Sequence, residues 1–312
     1  MSQEELIVFY NVENLFELPG MPRTGELGEN EPFRTNRWNE KRLEVKLQNL
    51  AKALTGINGN GPMMIGLAEV SSQELAIRLS RSGELAKMNY GLVQFASADV
   101  RGINCSFLYD ISKVELLASE KVPIIISDEP EFHTRDILYA KVRLLNDEIL
   151  HVFVNHWSSR RDGKSMSAYR REATAAILFK RLETLWKKDP DSKILIMGDL
   201  NDEPKDPSIQ FLMEESKKND TPLVNLMANE TDVKGSVVRN RQWLKFDQMI
   251  VSNNMIKDSK LKVKDNQASV HDDPSLLYTY PNGDTKPNAT FTGSSYHGGF
   301  SDHLPIYIKV EL

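Results

Sequence analysis

The chain has 312 residues, 40% hydrophobic and 27% charged, the composition of an ordinary globular protein able to bury a sizeable core. Its 44 acidic and 39 basic residues leave a formal charge of -5. No basic excess advertises a polyanion partner, although a local basic rim or a bound cation can supply attraction that net charge hides; the lone Cys105 rules out intrachain disulfides and thiolate zinc clusters.

The N-terminus, MSQEELIVFYNVEN, lacks a basic leader, and no apolar run reaches the roughly 18 residues of a membrane span. The expectation is a soluble monomer, cytoplasmic as written or secreted if a signal peptide has been removed. Leu6–Tyr10 is a β-branched and aromatic run suited to a strand buried on both faces. Residues 17–33, rich in Pro, Gly and Glu, predict a surface loop. A helix follows, capped by Thr35 or Asn36, with Leu43, Leu47, Leu50 and Leu54 on one face and Gly56 as its stop.

Residues 62–70 predict the next buried strand, ending on Glu69. Further strands are expected at 91–97, 105–110, 137–145, 149–157, 193–201, 246–252 and 303–312, with a second helix over Ser167–Lys187. Strands in short antiparallel connection plus covering helices indicate a layered α/β fold. The stretch Gln267–Phe300, dominated by Asp, Pro, Gly, Asn, Ser and Thr, is expected to form long loops around a site.

Four strand ends place chemistry-bearing residues directly after an apolar run: Asn11 and Glu13, Glu69, Asn155 and His156, and Asp199 and Asn201. In Asn11-Val12-Glu13 and Asp199-Leu200-Asn201, residues two apart on an extended chain project to one side, so each pair is expected to face one pocket while Val12 and Leu15 or Phe16 turn to packing. Asp247 opens a later strand, and Ser301, Asp302 and His303 precede the last. Taken singly, each is a residue type that ends strands by satisfying turn backbone; their joint occurrence points to a site.

In order, YNVEN, IGLAEV, NHW, MGDLNDEP, FDQMIVS and SDHLP resemble the motifs of the endonuclease/exonuclease/phosphatase superfamily, the DNase I-like metal-dependent phosphoesterases. The resemblance spans residues 6 to 312. It implies a DNase I-like four-layer α/β sandwich, two packed mixed and mostly antiparallel sheets flanked by helices, as one domain over 1–312. It implies Glu69 as principal ligand of Mg²⁺, with Mn²⁺ or Ca²⁺ as substitutes, helped by Asn11 and Asp302; hard oxygen donors suit such ions. Asp199 would orient and deprotonate the attacking water, and Asn201 would support it. His156 and His303 would donate to phosphoryl oxygens, with Asp247 holding His303 in its tautomer.

Glu13 stands where some family nucleases carry the shorter Asp, so it is expected either to touch the metal or to support Asn11. Arg101 and Asn104, with Asp99 and Gly102, and Arg135 with Asp136 resemble the substrate-side loops of the family, arginine being suited to clamp phosphate. Asn155 in NHW is a further substrate-binding candidate. Arg160, Arg161 and Lys164 form a modest basic patch beside His156. The histidine in NHW is unlike the abasic-site endonucleases and argues against DNA repair.

Chemistry asks for such a set independently of family. Displacement at a phosphodiester accumulates charge on equatorial and leaving oxygens, which a cation and fixed donors relieve. Competing sites are weaker: Ser301, Asp302 and His303 diverge along the chain and cannot form a relay among themselves, and His271-Asp272-Asp273 reads as an exposed turn. His133, His151 and His297 carry no comparable argument, although His297, in the Gly-rich approach to SDH, is placed where it could line the pocket. The expected function is water attack on a phosphate ester, with nucleic acid as substrate; a phosphoinositide, sphingomyelin or other small ester is the alternative, and a silent binding module a third.

Overall fold

A computed structural model describes residues 4–19, 38–160, 163–228, 234–257 and 260–312. Most of the loop expected over 17–33, the caps expected at Thr35 or Asn36, and Arg161 lie outside these. The first half runs β1 (Glu4–Leu15), α1 (Glu40–Thr55), β2 (Met64–Val70), α2 (Gln73–Ser80), β3 (Tyr90–Gln94), β4 (Asn104–Asp110), β5 (Val114–Val122), β6 (Ile137–Leu144) and β7 (Ile149–His156). Then come α3 (Lys164–Trp186), β8 (Lys193–Asp199), α4 (Pro207–Lys218), β9 (Leu223–Asn225), β10 (Val237–Arg239), β11 (Gln242–Leu244), β12 (Asp247–Ser252) and α5 (Asn254–Lys257). The chain closes with short strands β13 (Lys262–Val263), β14 (Ser269–Val270), β15 (Leu277–Thr279), β16 (Thr285–Pro287), β17 (Phe291–Thr292) and β18 (Ser295–Tyr296), and with β19 (Ile306–Glu311).

Two mixed sheets result. One is ordered β13-β19-β1-β2-β4-β3, with β14 also along β19; the other is β5-β6-β7-β8-β12-β9. Pairing within them is antiparallel except for β1–β2 and β7–β8. These parallel pairs sit side by side with their C-terminal ends at the same edge of the fold, the place where α/β proteins present ligand-binding residues. Among the described residues no helix is long and apolar enough to cross a membrane.

The layers follow from the two-residue period of the strands. Ile7 and Phe9 of β1, Val152 and Val154 of β7, Leu195 and Met197 of β8, and Met249 and Val251 of β12 meet between the sheets. The alternate residues Leu6, Val8 and Tyr10 pack under α1 through Leu43, Leu47, Leu50 and Leu54. On the far side, Phe153, Ile194 and Ile196 pack under α3 and α4 through Leu178, Leu182, Ile209 and Leu212. Fully burying one leucine of this kind is worth about 1.5–3 kcal/mol, so the helical faces hold the sandwich closed.

Helix α1 starts at Asn39, whose side chain accepts from the Arg42 amide. Strand β5 and helices α2 and α4 were not among the expected elements. The Gln267–Phe300 stretch departs most from expectation: it folds into β14–β18, and none of its residues lines the cleft described below.

Gly198, one residue before Asp199, is required by close approach: a Cβ there would fall 2.3 Å from the Asn155 carbonyl oxygen of β7. Gly198→Ala is expected to push β7 and β8 apart and cost about 1–3 kcal/mol. Thermal unfolding followed by circular dichroism reads this as a lowered midpoint.

Candidate active site

The inward rows of the two sheets turn polar where the strands end. Continuing each row by two residues leads from Phe9 to Asn11, from Val154 to His156, from Met197 to Asp199, and back from Met249 to Asp247. All four are buried. Asp199, only 2% exposed, is the hub. Its Oδ2 accepts from Asn11 Nδ2 at 3.0 Å and lies 3.7 Å from His156 Nε2 and 3.8 Å from His303 Nε2. Its Oδ1 accepts from the Asn201 amide at 3.0 Å.

The constellation extends outward on both sides. Glu69 Oε1 lies 3.7 Å from His156 Nε2, and its Oε2 accepts from the Asn14 amide at 2.8 Å. Asp302 Oδ1 lies 4.0 Å from His303 Nε2, and its Oδ2 accepts from Arg239 at 3.1 Å. Behind His303, Nδ1 is hydrogen-bonded to Asp247 Oδ2 at 2.7 Å, an oxygen that also accepts from the Ser236 hydroxyl. Ser301 is not a nucleophile in waiting, since its hydroxyl donates to the Asn11 carbonyl at 2.6 Å and accepts from the His303 amide.

Charge follows from this packing. Burial pushes the Asp199 carboxyl up, and Asp247 adds to the push; His303, the Asn201 amide and Asn11 restrain it, so it settles at about 6. Burial opposes a charge on His303, but Asp247, Asp302 and Asp199 outweigh it and raise the imidazole to about 10. Partial burial likewise opposes a charge on Asp302, yet His303 and Arg239 hold it below the usual range. At neutral pH the hub is therefore an ionised carboxylate facing a protonated imidazole.

Backbone conformation aims two of these side chains. Alternation along β2 sends Ile65 and Leu67 toward the helices, which would take Glu69 with them. A left-handed φ of +68° at Glu69 turns it to the cleft instead. Asn201 has φ +50°. Such conformations are unusual for residues other than glycine and collect where a side chain must be aimed.

The same device corrects the expectation for Glu13. Asn11 pairs with Ala68 and Leu15 with Val70, so three residues of β1 bulge opposite Glu69 alone. Glu13 and Asn14 both have φ +50°, and the two-residue alternation stops at Asn11. The Glu13 carboxylate turns away, accepting from the Thr290 and Phe291 amides at 2.6 and 3.2 Å, 3.9 Å from the buried Lys46 ammonium. Val12, Leu15 and Phe16 do turn to packing.

Three proposed substrate contacts are also placed elsewhere. Asn155 lies on the outward face of β7, accepting from Trp157 Nε1 and donating to the Phe153 carbonyl. Asn104 ties together the Val70, Ser71 and Gly102 carbonyls and the Ser97 amide. Arg135 spends its guanidinium on the His156 and Trp157 carbonyls and on Asp99. Arg101 and Arg160 do reach the cleft, as do Lys164 and Asn201. Arg160 stacks over Phe246 and pairs with Asp202 and Asp206. His297 lines a separate depression.

The cleft has a volume of about 770 Å³, and one of its walls was not anticipated. The β10–β11 hairpin contributes Arg239, Asn240, Gln242 and Leu244. Its turn residues Asn240 and Arg241 have φ +51° and +64°, the left-handed pair of a tight two-residue hairpin. Asparagine between two short apolar runs, VVR and QWL, was the available signal. Asp199, Asp247 and His303 bring ligand-type atoms within 4.8 Å of one another, close enough to hold a metal ion.

The sequence profile of the endonuclease/exonuclease/phosphatase family matches residues 6–312. The chain belongs to this family. It is accordingly a hydrolase of phosphate esters. Solved structures share the family fold at low identity. A truncated TDP2 of Caenorhabditis elegans has 12% identity and TM-score 0.62, covering 99% of this chain and 98% of that one. An endonuclease/exonuclease/phosphatase protein of Bacteroides vulgatus has 13% identity and TM-score 0.62, covering 99% of each. The human Nocturnin catalytic domain with bound sulfate anion has 14% identity and TM-score 0.57, covering 99% and 97%. No curated protein matches the chain in sequence.

Arg135→Ala is expected to cost about 3–5 kcal/mol, because it removes the nearer guanidinium from the buried Asp99 carboxylate, leaving Arg101 Nε at 3.9 Å, and frees the backbone behind His156. Arg101→Ala should leave stability within about 0.5 kcal/mol and instead raise KM. Chemical denaturation beside steady-state kinetics on both variants separates the two roles.

Proposed function

We propose that the chain is a Mg²⁺-dependent phosphodiesterase acting on nucleic acid by direct attack of water. One observation bears most of the weight: Asp199 has both imidazoles within 4 Å, with Glu69 and Asp302 beyond them, so base, donors and cation ligands share one cleft. Asp199, ionised above about 6, accepts the proton of the attacking water. Asn11 and the Asn201 amide fix the orientation of that carboxylate. Protonated His303, braced by Asp247, donates to a phosphoryl oxygen as charge develops there, and His156 donates from the other side.

The residues present fit a hard divalent cation. Glu69 and Asp302 offer carboxylate oxygens at the cleft, and the Asn11 side-chain Oδ1 accepts one hydrogen bond, from the Glu13 amide, leaving its second lone pair. Asp247 is fully buried behind His303, with Oδ2 engaged by His303 and Ser236, and does not line the cleft, so we assign Glu69, Asp302 and Asn11 as the holders. When bound, Mg²⁺ neutralises phosphoryl charge that would otherwise repel the nucleophile. Arg101, Arg160, Lys164 and Arg239 around the cleft support a polyanionic substrate despite the net negative chain. A lipid headgroup is the second reading, favoured by Val100 and Met166, 63% and 68% exposed, next in sequence or nearly so to cleft residues Arg101 and Lys164.

Single-stranded and duplex DNA, RNA, bis-p-nitrophenyl phosphate, inositol phosphates and sphingomyelin vesicles, each with Mg²⁺ or EDTA, test the assignment. The expected result is oligonucleotide cleavage abolished by EDTA and restored by Mg²⁺; headgroup release alone would favour the lipid reading. Asp199→Asn and His303→Ala should each lower kcat by about 10²–10⁴, and near-wild-type turnover of either would remove its role.

The pH profile has a definite sign. Activity should rise as Asp199 loses its proton, at or below about 6 because a nearby cation lowers that value further, and fall as His303 loses its own near 10. Initial rates over that range, at saturating Mg²⁺, check both limbs.

A further inference from the structure

We propose that the β15–β16 hairpin carries a second binding site, a stacking surface of Tyr278, Tyr280 and Lys286 that takes bases of a single-stranded polynucleotide lying in the cleft. The inference rests on the nuclease reading above for the identity of the strand, and on separate observations for the surface itself. Tyr278 and Tyr280 are two apart on an extended segment and share one face, while Lys286 is the cross-strand partner of Tyr278. The intervening alternation directs Leu277 the other way, against the core beneath α1. Packing alone therefore does not account for the two rings.

Both tyrosines remain about two-fifths exposed, at 42% and 40%. Their rings meet edge to face with centroids 5.1 Å apart. The Lys286 ammonium lies 5.7 and 5.5 Å from the two ring centroids, and among the described residues it has no carboxylate partner. The rings adjoin a depression of about 180 Å³, large enough for a planar heterocycle, to which Asn288, Thr292 and His297 add polar groups and no acidic residue contributes.

These features select an occupant. An uncompensated cation beside two aromatic rings suits a ligand that is anionic along its backbone and flat in its side groups, which describes a nucleic acid strand with unpaired bases. Continuity with the cleft supports it further. Strand β16 packs against β10, β10 ends in the cleft residue Arg239, and Val237 of the same strand bridges to His303. A strand with its scissile phosphate at Asp199 would leave over this hairpin. An aromatic side chain of a protein partner would need no such cation, which makes a polynucleotide the better match.

The test is binding in EDTA, where no turnover occurs, of a fluorescein-labelled oligothymidylate of about twelve nucleotides, read by anisotropy. Tyr278→Ala/Tyr280→Ala should weaken binding at least about ten-fold, whereas Tyr278→Phe/Tyr280→Phe, which keeps the rings, should stay within about two-fold of wild type. Lys286→Ala should weaken binding and flatten its salt dependence. With Mg²⁺ present, the alanine pair should raise KM for the oligonucleotide and leave bis-p-nitrophenyl phosphate turnover unchanged. Wild-type affinity in the alanine pair, or no binding by wild type, overturns the surface. Tyrosine-dependent binding without cleavage overturns the nuclease reading and keeps the surface; cleavage indifferent to both tyrosines does the reverse.

Discussion

A negative charge is kept inside this protein, and the arrangement of everything around it follows from the need to keep it there. Burying an unpaired carboxylate costs several kcal/mol, so Asp199 persists as an anion only where donors converge on it. They arrive from far apart in sequence: Asn11 from the first strand, His156 from β7, and His303 from just before β19. Each sheet supplies part of the shell, so neither sheet alone can hold the charge. The apolar face between the sheets is thus what brings the polar edge into register.

That dependence explains which parts were legible beforehand. A buried strand read in steps of two runs from apolar packing straight into the site at Asn11, His156 and Asp199, so residue type and strand end together sufficed there. The same rule misled at Glu13, because a bulge in β1 interrupts the count, and nothing in the residue types announces that bulge. Glu69 is the opposite case: counting would have sent it outward, and a left-handed backbone brings it back. Asn155 was readable and misread, since its neighbour Phe153 faces the helices and it must follow.

Among the elements, α1 was plain from its leucine spacing. Helix α4 had a start signal, Asp206 before Pro207, that the turn-like DEP beside it obscured. Strand β5 is an exposed edge with a register shift between Leu116 and Ala118, which blurs its alternation. Arginines were the hardest to sort, because the same side chain clamps a ligand or braces a backbone depending on what surrounds it. Arg135 is enclosed and Arg101 is not, a difference of tertiary burial that local sequence does not encode.

Strand β19 lies between β13 and β1. Strand β1 thus pairs with a strand far along the chain, and Ser301 fastens its end through the Asn11 carbonyl across 290 positions. Pairings so distant in sequence form late. In chain order Glu69 and Asp199 come well before His303, so the cleft is chemically complete only once β19 has paired with β1. The long-range pairing that slows folding is also what completes the shell around Asp199.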